Sequence, residues 1–275
     1  MSGSFSIFVN TTDRFEDCWE PFFKLFAVYW PEYKGKIYLN TEYKTFQYPG
    51  LDIVSIKNCE KTQDADTTTW SDCLIRGWNA VDNDVILYMQ EDYFFYDRVQ
   101  NDKVEYYADF IRKENVACLH LTHASGNGPF LPSKYPDLEE ISQQAHCRIS
   151  CQAALWKKDV LLKYVRHFES AWQFETFGTQ RAHLIKDNFL NVNVLPARTN
   201  RIMPYILTGI IQGQWKKDVV ELFAKHNINV DFSIRGFRNF KKPGFIERIK
   251  SRIKRFPKEL PSKMDLWKMK LKMSK

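Results

Sequence analysis

"DVILYMQEDYFF", residues 84–95, sets five apolar residues, Val85 to Met89, directly against Gln90, Glu91 and Asp92. A short, continuous apolar run reads as a strand buried on both faces, as in a parallel sheet. In open parallel sheets, ligands bind in the crevice beyond the carboxyl ends of the strands. Two carboxylates are therefore predicted at that crevice. A hard cation such as Mg²⁺ is held by one or two carboxylates together with substrate phosphates, so the pair suits a metal-bridged nucleotide diphosphate. The other reading of the same residues is a polar strand end facing water, with Asp92 capping the next turn.

Upstream, strands are predicted at 5–12, 36–41 and 52–57, with helices at 14–30 and 67–81. Ser71 or a preceding threonine caps the second helix, and Pro21 marks an early turn or kink in the first. Downstream the pattern continues with a helix at 102–114 and a strand at 116–122. A long Gly/Pro/Ser-rich loop at 123–140 and a strand at 148–156 follow. Helices at 157–168 and 214–227 complete the body, and between them "SAWQFETFGTQRAH" (170–183) leads into "NVNVLPA" (191–197). Alternation of this kind argues for an α/β protein with a mostly parallel sheet flanked by helices.

The chain has 275 residues, 44% of them hydrophobic, enough for one sizeable core. It lacks the roughly 18-residue apolar stretch of a membrane span. The N-terminus shows no basic region ahead of an apolar block, and the six cysteines are scattered, which reads as reduced thiols in a cytoplasmic protein. The charge is uneven. Residues 235–275 hold 15 Lys/Arg against 3 Asp/Glu, a balance of +12, while the rest balances at −5. Residues 1–234 are thus read as one domain and 235–275 as a basic amphipathic tail.

Other residue types offer candidates. Thr11, Thr12 and Asp13 form a short polar loop after the first strand, able to bind a base and ribose or simply to cap the next helix. Arg76 precedes the acidic strand and could pair with Asp92 or a phosphate, or be an ordinary surface arginine. Glu169 and Glu175 are candidate bases. Glu175 follows Trp172 and Phe174, apolar surroundings that would raise its pKa, and Trp172 offers a face on which a sugar can stack. His120, His123, Cys147 and Cys151 could be assembled into a zinc site, but strand alternation sends residues 120 and 123 to opposite faces. Neither a Gly-rich phosphate loop nor a nucleophile elbow is present.

The strings "FVNTTDRF", "TWSDCLIRGWNAV…VILYMQEDYFF", "CQAALWKKDVL" and "ESAWQFETFGTQRA" resemble bacterial GT-A-type glycosyltransferases that build capsule and lipopolysaccharide glycans. The resemblance spans roughly residues 5–235. It implies a GT-A-like, Rossmann-like fold and transfer of a sugar from a nucleotide-diphosphate donor. It also implies a D-x-D motif at Gln90-Glu91-Asp92, with Gln90 in place of the first acid. Asp92 would then hold Mg²⁺ or Mn²⁺ with Glu91 beside it. Thr11, Thr12, Asp13 and Arg76 would contact the donor, Trp172 the acceptor, and Glu175 would be the catalytic base. Two other readings stand beside it: a non-catalytic sugar-binding scaffold of a glycan assembly complex, and a nucleotidyltransferase making an activated sugar.

In the tail, "GFIERIKSRIKRF" places Phe245, Ile249, Ile253 and Phe256 on one helical face among basic residues, with Pro257 expected to end the helix. A basic amphipathic helix reads as binding an anionic membrane surface, which would suit a lipid-linked acceptor at the inner face of the membrane. Packing on the body is the competing account. Nucleic acid fits the apolar stripe less well.

Overall fold

The computed structural model describes residues 4–59, 68–122, 128–193, 201–239 and 244–273, with no side chains for 245–253. Among the described residues nine strands form one sheet: β1 (Ser6–Asn10), β2 (Lys36–Asn40), β3 (Asp52–Ser55), β4 (Val85–Gln90), β5 (Cys118–His120), β6 (Phe130–Pro132), β7 (Leu138–Ile141), β8 (Ala154–Lys157) and β9 (Phe189–Val192). Their spatial order is β3-β2-β1-β4-β8-β5-β9-β7-β6. β8 is antiparallel to β4 and β5, and β7 to β9 and β6; the other seven strands share one direction. The sheet is mostly parallel, as expected.

Strand alternation divides the core between the two faces. Ile7, Val9, Leu87, Met89, Leu119 and Leu155 meet α1 (Trp19–Tyr29) and α3 (Asn101–Lys113) on one side. Phe8, Ile86, Tyr88, Cys118 and Trp156 meet Leu74 and Trp78 of α2 (Trp70–Ala80) on the other. Thr69 caps α2 in a reciprocal box with Asp72. Pro21 sits in the first turn of α1, where its missing N–H has no intrahelical partner to lose. The register Asn10↔Gln90 between β1 and β4 makes Thr11 and Glu91 leave the sheet side by side.

Several elements differ from the sequence reading. The expected loop at 123–140 contains the β6–β7 hairpin, and the strand expected from 148 begins only at Ala154. The expected helix at 157–168 is the single turn α4 (Lys158–Leu161). The segment from residue 170 forms α5 (Ala171–Gln173) and α6 (Thr179–Leu184), joined by a π-helical turn at Phe174–Gly178. A small hairpin of β10 (Ile210–Ile211) and β11 (Gln214–Trp215) precedes α7 (Asp218–Lys225).

Pro257 does not end the tail helix. α8 runs Phe245–Met273 through Pro257 and Pro261, because one of its faces is docked on the body beyond them. Ser262 and Leu266 are buried there. Ser262 Oγ donates to Glu169 Oε1 at 2.8 Å, and Asp265 pairs with Arg166 at 3.1 Å and with Arg181 at 2.9 Å. Of the stripe read in the sequence, Phe245, Ile249 and Ile253 have side chains outside the described residues, and Phe256 is exposed.

Candidate active site

The carboxyl ends of β1 and β4 open into a cleft of about 410 Å³. Asn10, Thr11 and Thr12 line it from β1, and Gln90, Glu91, Asp92 and Tyr93 from β4. Cys151 and Gln152 come from the segment before β8, Trp172 and Glu175 from α5 and the π turn, and Thr208, Ile210, Gln212 and Gly213 from the β10 hairpin region. Residues far apart in sequence thus converge where strand order places a ligand crevice.

Asp92 is 5% exposed. Its Oδ2 accepts from Thr208 Oγ1 at 2.5 Å and from Ile210 N at 3.0 Å, while its carbonyl accepts from Gly209 N at 2.8 Å. Its Oδ1 is buried and has no hydrogen-bond partner among the described residues. Such an atom costs free energy unless a ligand, ion or water meets it. Burial raises the Asp92 pKa against the opposing hydrogen bonds from Thr208 and Ile210. Burial and the like charge of Asp92 push Glu91 well above the usual carboxylate range, with Arg235 pulling the other way. Gly209 allows this clamp to close: a Cβ there would lie 2.3 Å from a ring carbon of Phe94 and 3.1 Å from the Asp92 carbonyl oxygen.

Across the cleft, Glu175 Oε1 accepts from Cys151 N at 2.7 Å, and burial raises its pKa. It sits in the π turn, an insertion that re-aims side chains within a helix. Trp172 stands at the lip, 70% exposed, with Ser170 capping the helix beneath it. The backbone around Cys151 is fixed from below. Tyr93 Oη donates to Cys151 O at 2.6 Å, and Ala153 N donates to Tyr205 Oη at 3.1 Å.

Most of the candidates read from the sequence meet here: Thr11, Thr12, Glu91, Asp92, Trp172 and Glu175 all line the cleft. Three do not. Asp13 is turned to the neighbouring loop, where its carboxylate accepts from the N–H groups of Glu42, Tyr43 and Lys44 at 2.9–3.1 Å. Arg76 does not reach Asp92; its Nη1 lies 3.4 Å from the Asn58 carbonyl. Glu169 is fully buried, bound by both terminal nitrogens of Arg181. The zinc grouping is not assembled either. His120 is wholly buried, with burial lowering its pKa to about 4, Cys147 is exposed, and His123 lies outside the described residues. What the sequence reading missed is the Thr208–Ile210 clamp. Its one local signal is the glycine in "LTGIIQGQ".

The cleft presents three carboxylates, from Glu91, Asp92 and Glu175, and no Lys or Arg among the described residues that line it. The orphaned Asp92 Oδ1 and the raised pKa values mark a deficit of positive charge. A divalent cation fits this donor set, since oxygen ligands suit Mg²⁺ and Mn²⁺.

No protein-family model and no curated protein matches the sequence. Solved structures do match. Residues 1–349 of S. aureus TarS share 15% identity with a TM-score of 0.51, over 98% of this chain and 81% of that one. The same TarS fragment in complex with UDP-GlcNAc gives 14% identity and a TM-score of 0.50, over 98% and 81%. The mannosyltransferase PcManGT from Pyrobaculum calidifontis, in complex with GDP-Man and Mn²⁺, gives 10% and 0.46, over 97% and 74%. The likeness to TarS is one of fold: the chain has a GT-A-like α/β fold, a Rossmann-like, mostly parallel sheet with flanking helices and a C-terminal helix.

Proposed function

We propose that this protein is a glycosyltransferase that moves a sugar from a nucleotide-diphosphate donor to a hydroxyl of a glycan or lipid-linked glycan in cell-surface polysaccharide synthesis. The observation that carries the reading is the cleft at the ends of β1 and β4, faced by the buried carboxylates of Glu91 and Asp92 and the partly buried one of Glu175, with no basic side chain among the described residues that line it. A diphosphate could not enter such a site alone. A divalent cation between the carboxylates and the diphosphate supplies the missing positive charge. The UDP-GlcNAc bound to the TarS fragment, of the same fold, supports a nucleotide-sugar donor.

In this reading Asp92 and Glu91 would hold the Mg²⁺ or Mn²⁺, while Thr208 and Ile210 fix the Oδ2 of Asp92. The cation, when bound, neutralises charge developing on the departing nucleotide. Thr11 and Thr12 face the nucleoside. Asp13 supports them by holding the loop at 42–44. Trp172 stacks the acceptor sugar at the lip. Glu175 takes the acceptor hydroxyl's proton, its basicity raised by burial and its position fixed by the Cys151 N–H. Calorimetry of the full chain with a panel of nucleotide sugars, with and without Mn²⁺, tests the donor half. Binding of a nucleotide sugar that needs the cation and vanishes in Asp92→Asn is the expected result. Equal binding with and without Mn²⁺ in both forms would overturn it.

The tail supports a working position at the inner face of the membrane, as a peripheral protein with a domain boundary near residue 235. Among the described residues no helix is long and apolar enough to cross a membrane. On the side of α8 turned from the body, Phe256, Leu260, Met264, Trp267 and Leu271 are 45–62% exposed at helical spacing, among exposed lysines and Arg255. Gln173, next to the cleft-lip Trp172, donates to the Lys258 carbonyl at 2.7 Å, so the helix runs beside the acceptor side. Binding to anionic but not neutral vesicles, weakened by salt, is expected. Full-length protein that ignores anionic vesicles at low salt would remove this part of the reading.

A further inference from the structure

We propose that Cys59, Cys73 and Glu42 form a second metal site, distinct from the cleft, for a thiophilic divalent cation, Zn²⁺. The three residues come from separate places: the loop after β2, the segment after β3 and the first half of α2. Their ligand atoms nevertheless all lie within 4.8 Å of one another, and they are the group of this kind found among the described residues. The two sulfurs are 4.0 Å apart. A tetrahedral Zn²⁺ with Zn–S of about 2.3 Å places two thiolates about 3.8 Å apart, so little movement is needed. Both cysteines are buried, at 3% and 4% exposure.

The surroundings match the charge of such a site. Two thiolates and one carboxylate carry three negative charges, and Zn²⁺ supplies two positive ones. The third is Arg76, which acts on both sulfurs in favour of the thiolate. This gives the guanidinium that does not reach Asp92 a place in the structure. Without a cation, burial raises both thiols, Cys73 to about 12, so metal entry must release two thiol protons to solvent. Asn58 stands beside the group. Its Oδ1 is 3.4 Å from Cys59 Sγ, and its Nδ2 donates to Asn40 Oδ1 at 2.8 Å. Soft sulfur ligands select Zn²⁺ here, whereas the all-oxygen cleft selects Mg²⁺ or Mn²⁺.

The ion's role is structural, and it reaches the cleft through Glu42. Glu42 Oε2 accepts from Asp13 N at 3.0 Å, and Asp13 follows Thr11 and Thr12 directly. An ion on Glu42, Cys59 and Cys73 therefore ties the loops after β2 and β3 and helix α2 to the rim that Thr11 and Thr12 form.

The test uses the full chain, loaded with Zn²⁺ and desalted, with bound metal counted by elemental analysis, and a parallel sample loaded with Co²⁺. One tightly held Zn²⁺ per chain and a thiolate-to-cobalt charge-transfer band are expected. Both should vanish in Cys73→Ser and persist in Asp92→Asn; Glu42→Gln should weaken affinity by roughly tenfold or more. Wild-type protein that holds no Zn²⁺ and gives no thiolate band while its thiols titrate as free would overturn the site. So would native protein in which Cys59 and Cys73 are isolated as a disulfide. Because these decisive readings are made on wild type, a variant that fails to fold leaves them standing.

Discussion

Two clusters of buried acids lie on opposite sides of the segment 169–181, and they are built on opposite principles. On one side Glu169 is wholly buried, but Arg181 binds both its oxygens, Ser262 donates to it, and Asp265 with Arg166 completes the network. Burial pushes Asp265 up, yet the two arginines hold it below the usual range. On the other side Glu91 and Asp92 are buried and Glu175 is partly buried, all three with raised pKa values, and Asp92 keeps an oxygen that has no partner among the described residues. Burial alone does not mark function. A buried acid whose charge is met within the chain is architecture, and one whose charge is left open asks for something from outside.

The contrast can be broken most forcefully at Asp92. Asp92→Asn should leave the melting temperature nearly unchanged while lowering transfer about a thousandfold, several kcal/mol of lost charge stabilisation. A variant that unfolds but, when folded, transfers normally would put Asp92 in the architectural class. Glu175→Gln comes next, with turnover reduced at least about a hundredfold and donor affinity unaltered, since the base faces the acceptor. Steady-state kinetics beside donor calorimetry separates the two; near-normal turnover would show that Glu175 only anchors Cys151.

The paired cluster should respond in stability instead. Asp265→Ala leaves Arg181 with Glu169 and the Tyr164 carbonyl and should cost about 2 kcal/mol, read as an earlier thermal melt with donor binding retained. The comparison fails if this variant melts like wild type. Truncation before residue 244 should cost more, because it also uncovers the site of Ser262 and Leu266.

The smallest effect is the dependence on pH. Raised carboxyl pKa values mean that the native state holds protons the unfolded chain has already lost. Stability from this source is present below the ordinary carboxylate pKa and falls as pH rises toward the folded values of Glu91 and Asp92. Mn²⁺ should replace the protons, raising the melting temperature by a few degrees at pH 8 and hardly at pH 5. A cation effect independent of pH, or one unchanged in Asp92→Asn, would contradict the account.

Much of this was legible in the sequence where local pattern and tertiary structure agree. Val85–Met89 reads as a buried strand because it is one, and the acids that follow it stand at the crevice. The hairpin β6–β7 escaped because Pro132 and the polar Glu139–Glu140 pair resemble loop residues, and only pairing of β7 along β9, and of β6 along β7, makes them strand. Asp13 and Arg76 were misdirected for a related reason. A charged side chain near a site has several partners in reach, and the sequence does not say that the N–H groups at 42–44 or the Asn58 carbonyl will be nearer. The Thr208 clamp on Asp92 joins residues 116 positions apart, which no periodicity encodes.

The π turn at Phe174–Gly178 sets the phase of everything after it. Each residue of an α-helix advances about 100° around the axis, so one residue more or fewer is a large rotation. Upstream of the turn, Trp172 faces the cleft; downstream, Arg181 faces the buried acids. The segment 171–184 is therefore a two-position key whose cuts are aligned by its length. A single-residue deletion at Thr176 would turn Arg181 away from Glu169 while leaving every side chain at 169 and 181 chemically intact. Tolerance of substitution but not of deletion in this turn would be the mark of a helix read by its angle.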